Sequence, residues 1–300
     1  MLLRSWVISV HQDDVPSNKE VFGMALIITT NVASLNAQRN LDKTNRELNR
    51  SLARLSSGYR INTAADDPAG LAISEHLLAE IKGMQQDTKN AHDGVSLVQV
   101  AEGGLNTIQN MLIRLRELGV EASSDTVDNT DRRFLDVEYQ QMKSEIQRVA
   151  EVTTFNGYDL LNGTGGVLDI QVGVHNDPFL DRISFNTAAS DATLAALGLG
   201  TLSVSSKAQA QESLDAIDNA LTSVSAMRAN FGAMQNRLQS TISNLLIARE
   251  NLSAANSRIR DTDVAAETAR LTRAEILRQA GISVLQQANN QSQMVLKLLS

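Results

Sequence analysis

The chain contains no cysteine. That removes disulfides, thiolate metal sites and redox chemistry together, and it suits a protein that must survive outside the cell without mispairing. Proline is nearly as scarce, with three in 300 residues. An internal proline costs a helix about 3 kcal/mol, so long stretches are free to run as uninterrupted helix. Aromatic residues are 3% of a chain that is 42% hydrophobic. Its apolar matter is therefore mostly Leu, Ala, Val and Ile, which favours thin helical packing over a broad globular core. A basic excess is missing as well. A net charge of −7 and a pI near 5.2 argue against attraction to nucleic acid or anionic membranes. No stretch approaches the roughly 18 apolar residues of a membrane span. The expected partners include neither nucleic acid nor an inserted bilayer.

The longest apolar run near the start, Met1 to Val10, is broken by Arg4 and passes into His11, Asp13 and Asp14 with no small-residue cleavage site. It does not resemble an ordinary secretory signal. Residues 1–23 hold the single tryptophan, Trp6, and differ in texture from the rest of the chain. Lys19-Glu20-Val21 can be encoded AAG-GAG-GTN, a purine-rich ribosome-binding sequence shortly before the Met24 codon. Residues 1–23 are thus expected to be a non-native or disordered extension, with translation starting at Met24.

From Thr30 the apolar pattern is helical. Leu41, Leu48 and Leu55 recur by sevens as a coiled-coil seam, and Leu35 and Leu52 are expected to widen the stripe. Arg39, Lys43, Arg46, Arg50 and Arg54 line one face, either solvated or meeting acidic residues of another subunit. Gly58 should end this helix, and Pro68 should open the next after a loop. Leu71, Leu78, Ile81, Val95, Val98, Leu105, Ile108, Leu112 and Leu115 predict a helix from about Pro68 to Val100, continuing toward Leu118. A third spans about Asn129 to Val152, and the helices should pack as a bundle.

At Asn156-Gly157 and Asn162-Gly163 turn residues appear and the period changes to two. Leu168, Ile170, Val172 and Val174 alternate with polar residues, and Ile183-Ser184-Phe185 comes after a turn at Asn176-Asp177-Pro178, which predicts a β-hairpin. Residues 186–206, rich in Ala, Ser, Thr and Gly, read as a connector. Helix resumes from about Ala208 to about Arg258.

The last segment is helical almost to its end. Val264, Leu271, Leu285 and Leu299 fall on multiples of seven, while the alternate seam positions Ala274, Gly281, Ala288 and Val295 are mostly small. Arg278 and Ser292 interrupt the apolar register, so this coil should be weak until neighbouring molecules surround it. Gln286, Gln287, Asn289, Asn290, Gln291 and Gln293 want hydrogen-bond partners if buried.

Several segments carry a resemblance in the same order along the chain. They are Ala25-Leu26-Ile27-Ile28-Thr29-Thr30-Asn31-Val32, Leu55-Ser56-Ser57-Gly58-Tyr59-Arg60-Ile61-Asn62, Ala64-Ala65-Asp66-Asp67-Pro68-Ala69-Gly70-Leu71, Phe155-Asn156-Gly157, Ser257-Arg258-Ile259-Arg260-Asp261-Thr262-Asp263, and Gln286-Gln287-Ala288-Asn289. From Met24 the chain resembles bacterial flagellin over essentially its whole length, in a short form without a large variable outer domain. The resemblance implies a mainly α fold, an elongated antiparallel bundle and coiled coil with a small β-hairpin region, both termini sharing one coiled-coil domain. Residues 24–62 and 259–300 would form that domain. Residues 63–258 would form the bundle, with the hairpin region at about 153–190 and the connector at about 186–206.

It further implies a homopolymer whose seam residues Leu41, Leu48, Leu55, Val264, Leu271, Leu285 and Leu299 serve polymerisation. Partners would be the flagellar cap and hook-associated proteins and an export chaperone, with delivery to the extracellular filament without a cleaved signal. Leu112-Ile113-Arg114-Leu115-Arg116-Glu117-Leu118 is similar to the flagellin segment read by a host innate immune receptor, with Arg114, Leu118 and Glu138 as contacts. Gly173, in the hairpin, is the candidate conformational switch.

Catalysis finds no support. The four histidines are scattered without metal-ligand spacing, and Asp66-Asp67-Pro68 reads as a helix cap. No cofactor is expected. The hook–filament junction protein, which shares these ends, and a coiled-coil signalling segment are the alternative readings.

Overall fold

The computed structural model describes residues 30–299, with side chains through 291. The expected start at Met24, the extension over 1–23 and the side chains of Val295 and Leu299 lie outside the described residues. Two compact units are present: one from residues up to Tyr59 together with those from Thr262 onward, the other Arg60–Asp261.

In the first unit helix α1 (Val32–Ser57) packs on α5 (Val264–Leu299). Asn31 caps α1 by accepting from the Ser34 amide, and Gly58 ends it at φ +76°, a left-handed conformation that needs no Cβ. The pair is antiparallel, since Ser34 Oγ bonds Asn289 near one end and Ser51 Oγ bonds Glu267 near the other.

The second unit is built on two long helices, α2 (Pro68–Ser123) and α4 (Lys207–Arg260), with α3 (Asn129–Val152) against α2. Asp67 caps α2 by accepting from the Gly70 amide at 2.9 Å, with Pro68 in the first turn. The helix runs through Gly103-Gly104 to Ser123 without a break. Gly104 serves packing there, because a Cβ would stand 2.7 Å from Leu161 and 2.8 Å from Thr153. Arg132, buried, finishes α2 by donating to the carbonyls of Ala122 and Ser124.

Two antiparallel hairpins come next. Strands β1 (Thr154–Phe155) and β2 (Tyr158–Asp159) turn at Asn156-Gly157, both with positive φ. Strands β3 (Val167–Gln171) and β4 (Arg182–Asn186) pair with Leu168 opposite Phe185 and Ile170 opposite Ile183. The strand ends at Gln171, short of the alternation expected through Val174. Val172 is nevertheless buried, and Val174 reaches Gly83 of α2.

Residues 186–206 are more than a connector. They form a 3-10 turn (Thr187–Ser190) and further turns, and they place Ala192, Leu197, Leu199 and Val204 in the core. Composition hid this because the segment's polar richness satisfies its own backbone. Lys143 Nζ, buried on α3, donates to the carbonyls of Gly200 at 3.0 Å and Leu202 at 2.7 Å. The core runs along α2 and α4, from Val98, Leu105, Leu112 and Leu118 to Ile217, Val224, Phe231 and Leu238.

Candidate assembly surface

The seam of the first unit is a heptad ladder in which leucines alternate with small and polar side chains. On α1 it runs Ser34, Ala37, Leu41, Thr44, Leu48, Ser51, Leu55, and on α5 Glu267, Leu271, Ala274, Arg278, Gly281, Leu285, Ala288; every one is buried or half-buried. Spacing alternates between three and four, as knobs-into-holes packing requires. Leu41, Leu48, Leu55, Leu271 and Leu285 thus sit in the seam. Val264 does not: it is 59% exposed at the start of α5. Leu35 and Leu52 lie on the outer face too. A seven-residue count alone cannot separate the seam stripe from a neighbouring one, and three-four alternation does.

Polar residues fix the register. Glu267, with its side chain 4% exposed, accepts from Ser51 Oγ at 2.6 Å and pairs with Arg270 at 3.0 Å and Arg54 at 3.8 Å. Asn31 Nδ2 donates to the Ala288 carbonyl at 2.9 Å. A cleft of about 220 Å³ beside Glu267 is lined by Glu47, Arg50, Arg54, Arg270 and Arg273.

Part of what the seam leaves outside is apolar. Val32, Leu35 and Leu52 on α1, and Val264, Ile276, Leu277, Ile282 and Val284 on α5, are exposed. The sequence reading put Leu35, Leu52 and Val264 with the seam and passed over Ile276, Leu277, Ile282 and Val284, although Ile276-Leu277 beside the seam position Ala274 was a visible signal. A helix apolar on faces its partner does not cover is suited to burial by further helices.

In the second unit, Arg114 and Glu138 come together across α2 and α3. Arg114 Nε and Nη2 donate to Glu138 Oε1 at 2.9 and 2.8 Å, and Nη1 donates to Glu117 at 3.0 Å. Hydrogen bonds to Glu138, then Glu117, raise the Arg114 pKa further above its ordinary value. Leu118 is not part of that surface. It is fully buried in the core, so it cannot be a receptor contact in the folded chain. One turn earlier on α2, Arg114 is exposed, so the edge of the covered face falls between the two.

Gly173 lies just past β3, where the chain leaves the ladder. A Cβ there would stand 2.0 Å from Asp181 Oδ1 and 3.0 Å from its Cα, so glycine is required by close approach. Its carbonyl accepts from Gln171 Nε2 at 2.6 Å. The described histidines, His76, His92 and His175, are exposed and far apart in the sequence. Among the described residues no group of three or more His, Asp or Glu is placed to hold a metal ion, and no helix is long and apolar enough to cross a membrane.

The sequence matches the bacterial flagellin N-terminal helical region over residues 28–165 and the bacterial flagellin C-terminal helical region over residues 214–299. It is 43% identical over 274 residues to the flagellin of Halalkalibacterium halodurans, covering 91% of this chain and 100% of that protein. It is 38% identical over 288 residues to the flagellar filament core protein FlaB2 of Brachyspira hyodysenteriae, covering 91% of this chain and 100% of that one. Among solved structures, a putative flagellar hook-associated protein from Vibrio parahaemolyticus shares the fold at 16% identity and a TM-score of 0.54, over 65% of this chain and 100% of that one. Paired end regions in the right order, an antiparallel coil joining the two ends and near-complete coverage of its relatives lead to one statement: the chain belongs to the bacterial flagellin family.

Proposed function

We propose that this flagellin is the repeating structural subunit of a flagellar filament whose rotation drives swimming, and that its α1–α5 coil is buried among copies of itself. The observation that carries this is the set of outward apolar residues on α1 and α5, on a coil whose leucine layers alternate with small and polar ones. Head-to-tail contacts that do not close on themselves give an open helical polymer. The end helices gain most of their stability from burial between subunits, which fits export in an unfolded state through the flagellar type III apparatus, with a chaperone guarding the apolar stripe. Cap and hook-associated proteins are the expected contacts at the filament ends, and the extracellular filament is the expected location. The chain's relatives include a filament core protein, which ranks this reading over the junction protein.

Recognition by a host innate receptor is a second proposal. It is supported by the exposed Arg114–Glu138 pair and no longer involves Leu118. Gly173 is proposed as part of the switching hairpin; a Gly173→Ala filament with unchanged waveform at every pH and salt concentration would count against it.

The central test compares wild type with Ile276→Asp/Leu277→Asp by electron microscopy and sedimentation over a concentration series. Wild type is expected to form filaments above a critical concentration, and the variant to remain a monomer with the helicity of wild-type monomer below that threshold. Filaments of the double variant at the wild-type threshold would refute burial of this stripe.

A further inference from the structure

One buried acid in the second unit lacks a hydrogen-bond partner at one oxygen. Asp87 of α2 is 5% exposed, and its Oδ2 accepts no hydrogen bond from any described residue. The β3–β4 hairpin closes over this stretch of helix. Val174 would stand 2.5 Å from a Cβ at Gly83, Ile170 would stand 2.7 Å from one at Gly94, and Asn90 Nδ2 donates to the Gln171 carbonyl at 3.1 Å. Glycine on the helix thus admits the hairpin at close range on either side of Asp87.

The charge acting on Asp87 is that of Asp181, on the hairpin. Burial first, and Asp181 second, push the Asp87 carboxyl up from the ordinary range. Asp181 is committed to the turn. Its Oδ2 accepts from the Asp177 amide at 2.9 Å, its carbonyl accepts from the Val172 amide at 2.8 Å, and its Oδ1 fills the space a Gly173 Cβ would need. Asp181 is thus held in place by the turn, while Asp87, buried with one oxygen unpartnered, is the member of the pair that favours its protonated form.

Other charged and titratable groups on the packed elements do not replace that proton. On the hairpin, Arg182 is taken up by Gln171 and Asn176, and His175 is exposed. On α2, Lys82, Lys89, His92 and Asp93 point to solvent. The ion pairs Arg228–Glu102 and Arg260–Glu75 place the α4 segment carrying Arg237, Arg249, Glu250 and Arg258 alongside this part of α2. None of these hydrogen-bonds Asp87 Oδ2.

We propose that Asp87 is a proton-operated latch on the β3–β4 hairpin: the protonated carboxyl lets the hairpin lie closed on α2, and its loss of that proton to solvent leaves a buried charge opposing Asp181 that loosens it. The sign comes from linkage. The closed form holds the proton more tightly than the open form, so closure is strongest at low pH and weakens as pH rises through the raised Asp87 value. The latch stands on the monomer geometry; only its effect on filament waveform rests on the hairpin being the switching element.

The test uses the full chain as dilute monomer. Asp87 is titrated by side-chain 13C NMR, and the Tm of wild type and Asp87→Asn is compared between about pH 4 and about pH 8. Asp87 is expected to titrate above the other aspartates, and Asp181→Asn to lower its midpoint. Asp87→Asn should exceed wild type in Tm at the upper pH, with the difference closing at the lower. Hairpin amides 167–186 should exchange more slowly in Asp87→Asn than in wild type at high pH only. Titration of Asp87 with the ordinary aspartates overturns the latch, as does a Tm difference of equal size at both ends. If Asp87→Asn does not fold, the wild-type titration decides alone. Intact Tm linkage beside an unchanged filament waveform would overturn the switching role and leave the latch standing.

Discussion

Leu118 and Arg114 lie one turn apart on α2 and do different work. Leu118 is fully buried and Arg114 is an exposed member of an ion-pair network. Leu118→Ala should cost about 2–5 kcal/mol in denaturant unfolding, through lost burial and the cavity left behind. Arg114→Ala should leave stability nearly unchanged, because exposed pairs contribute little. A receptor reporter assay on folded monomer should then respond to Arg114→Ala at constant Tm; a response to Leu118→Ala alone would mean that only unfolding matters. The sequence spacing put both residues on one helix and could not say which way each faced. That needed α3, whose Glu138 draws Arg114 outward, and α4, which covers the opposite side.

At the scale of elements, the α1–α5 coil was largely legible. Leu41, Leu48 and Leu55, with Ala274, Gly281 and Ala288, declared a heptad seam with small residues. Its polar half was not legible, because Ser34, Thr44, Ser51 and Glu267 look like surface residues until two helices are paired. Arg278 occupies a seam position, and its Nε is buried without a hydrogen bond. Arg278→Leu is expected to stabilise the coil by ~1 kcal/mol, from the burial of part of a leucine side chain. Circular dichroism melting of monomer should show it as a higher midpoint for the terminal helices, and an unchanged or lower midpoint would contradict the seam assignment. The β3–β4 hairpin was readable from its alternation and its turn. Its seat on α2 was not, because Gly83 and Gly94 inside a helix look only like weak helix formers.

At the scale of the whole molecule, charge is divided between the two units. Residues 60–261 hold 16 Lys and Arg against 26 Asp and Glu, a formal −10, whereas residues 30–59 and 262–299 hold nine against five, a formal +4. Copies that bring their basic coils together must overcome like-charge repulsion, which salt screens over about 10 Å at 0.1 M. The critical concentration for polymerisation is therefore expected to fall between low and moderate salt. Light scattering across that range checks it, and a flat or rising threshold would indicate that acidic surface of a neighbour neutralises the coil instead.

The sequence by itself determined the helical class, the order of the helices and most of their starts, the hairpin and the kinship of the two ends. These rest on local rules: apolar period, the cap ahead of Pro68, a helix stop at Gly58, and turn residues at Asn156-Gly157. Only the tertiary structure decided that residues 186–206 join the core, that Leu118 is inside while Val264 is outside, and that Asp87 lies buried under the hairpin near Asp181. Each of those depends on which surface a second element covers, and burial of a side chain is a property of the pair.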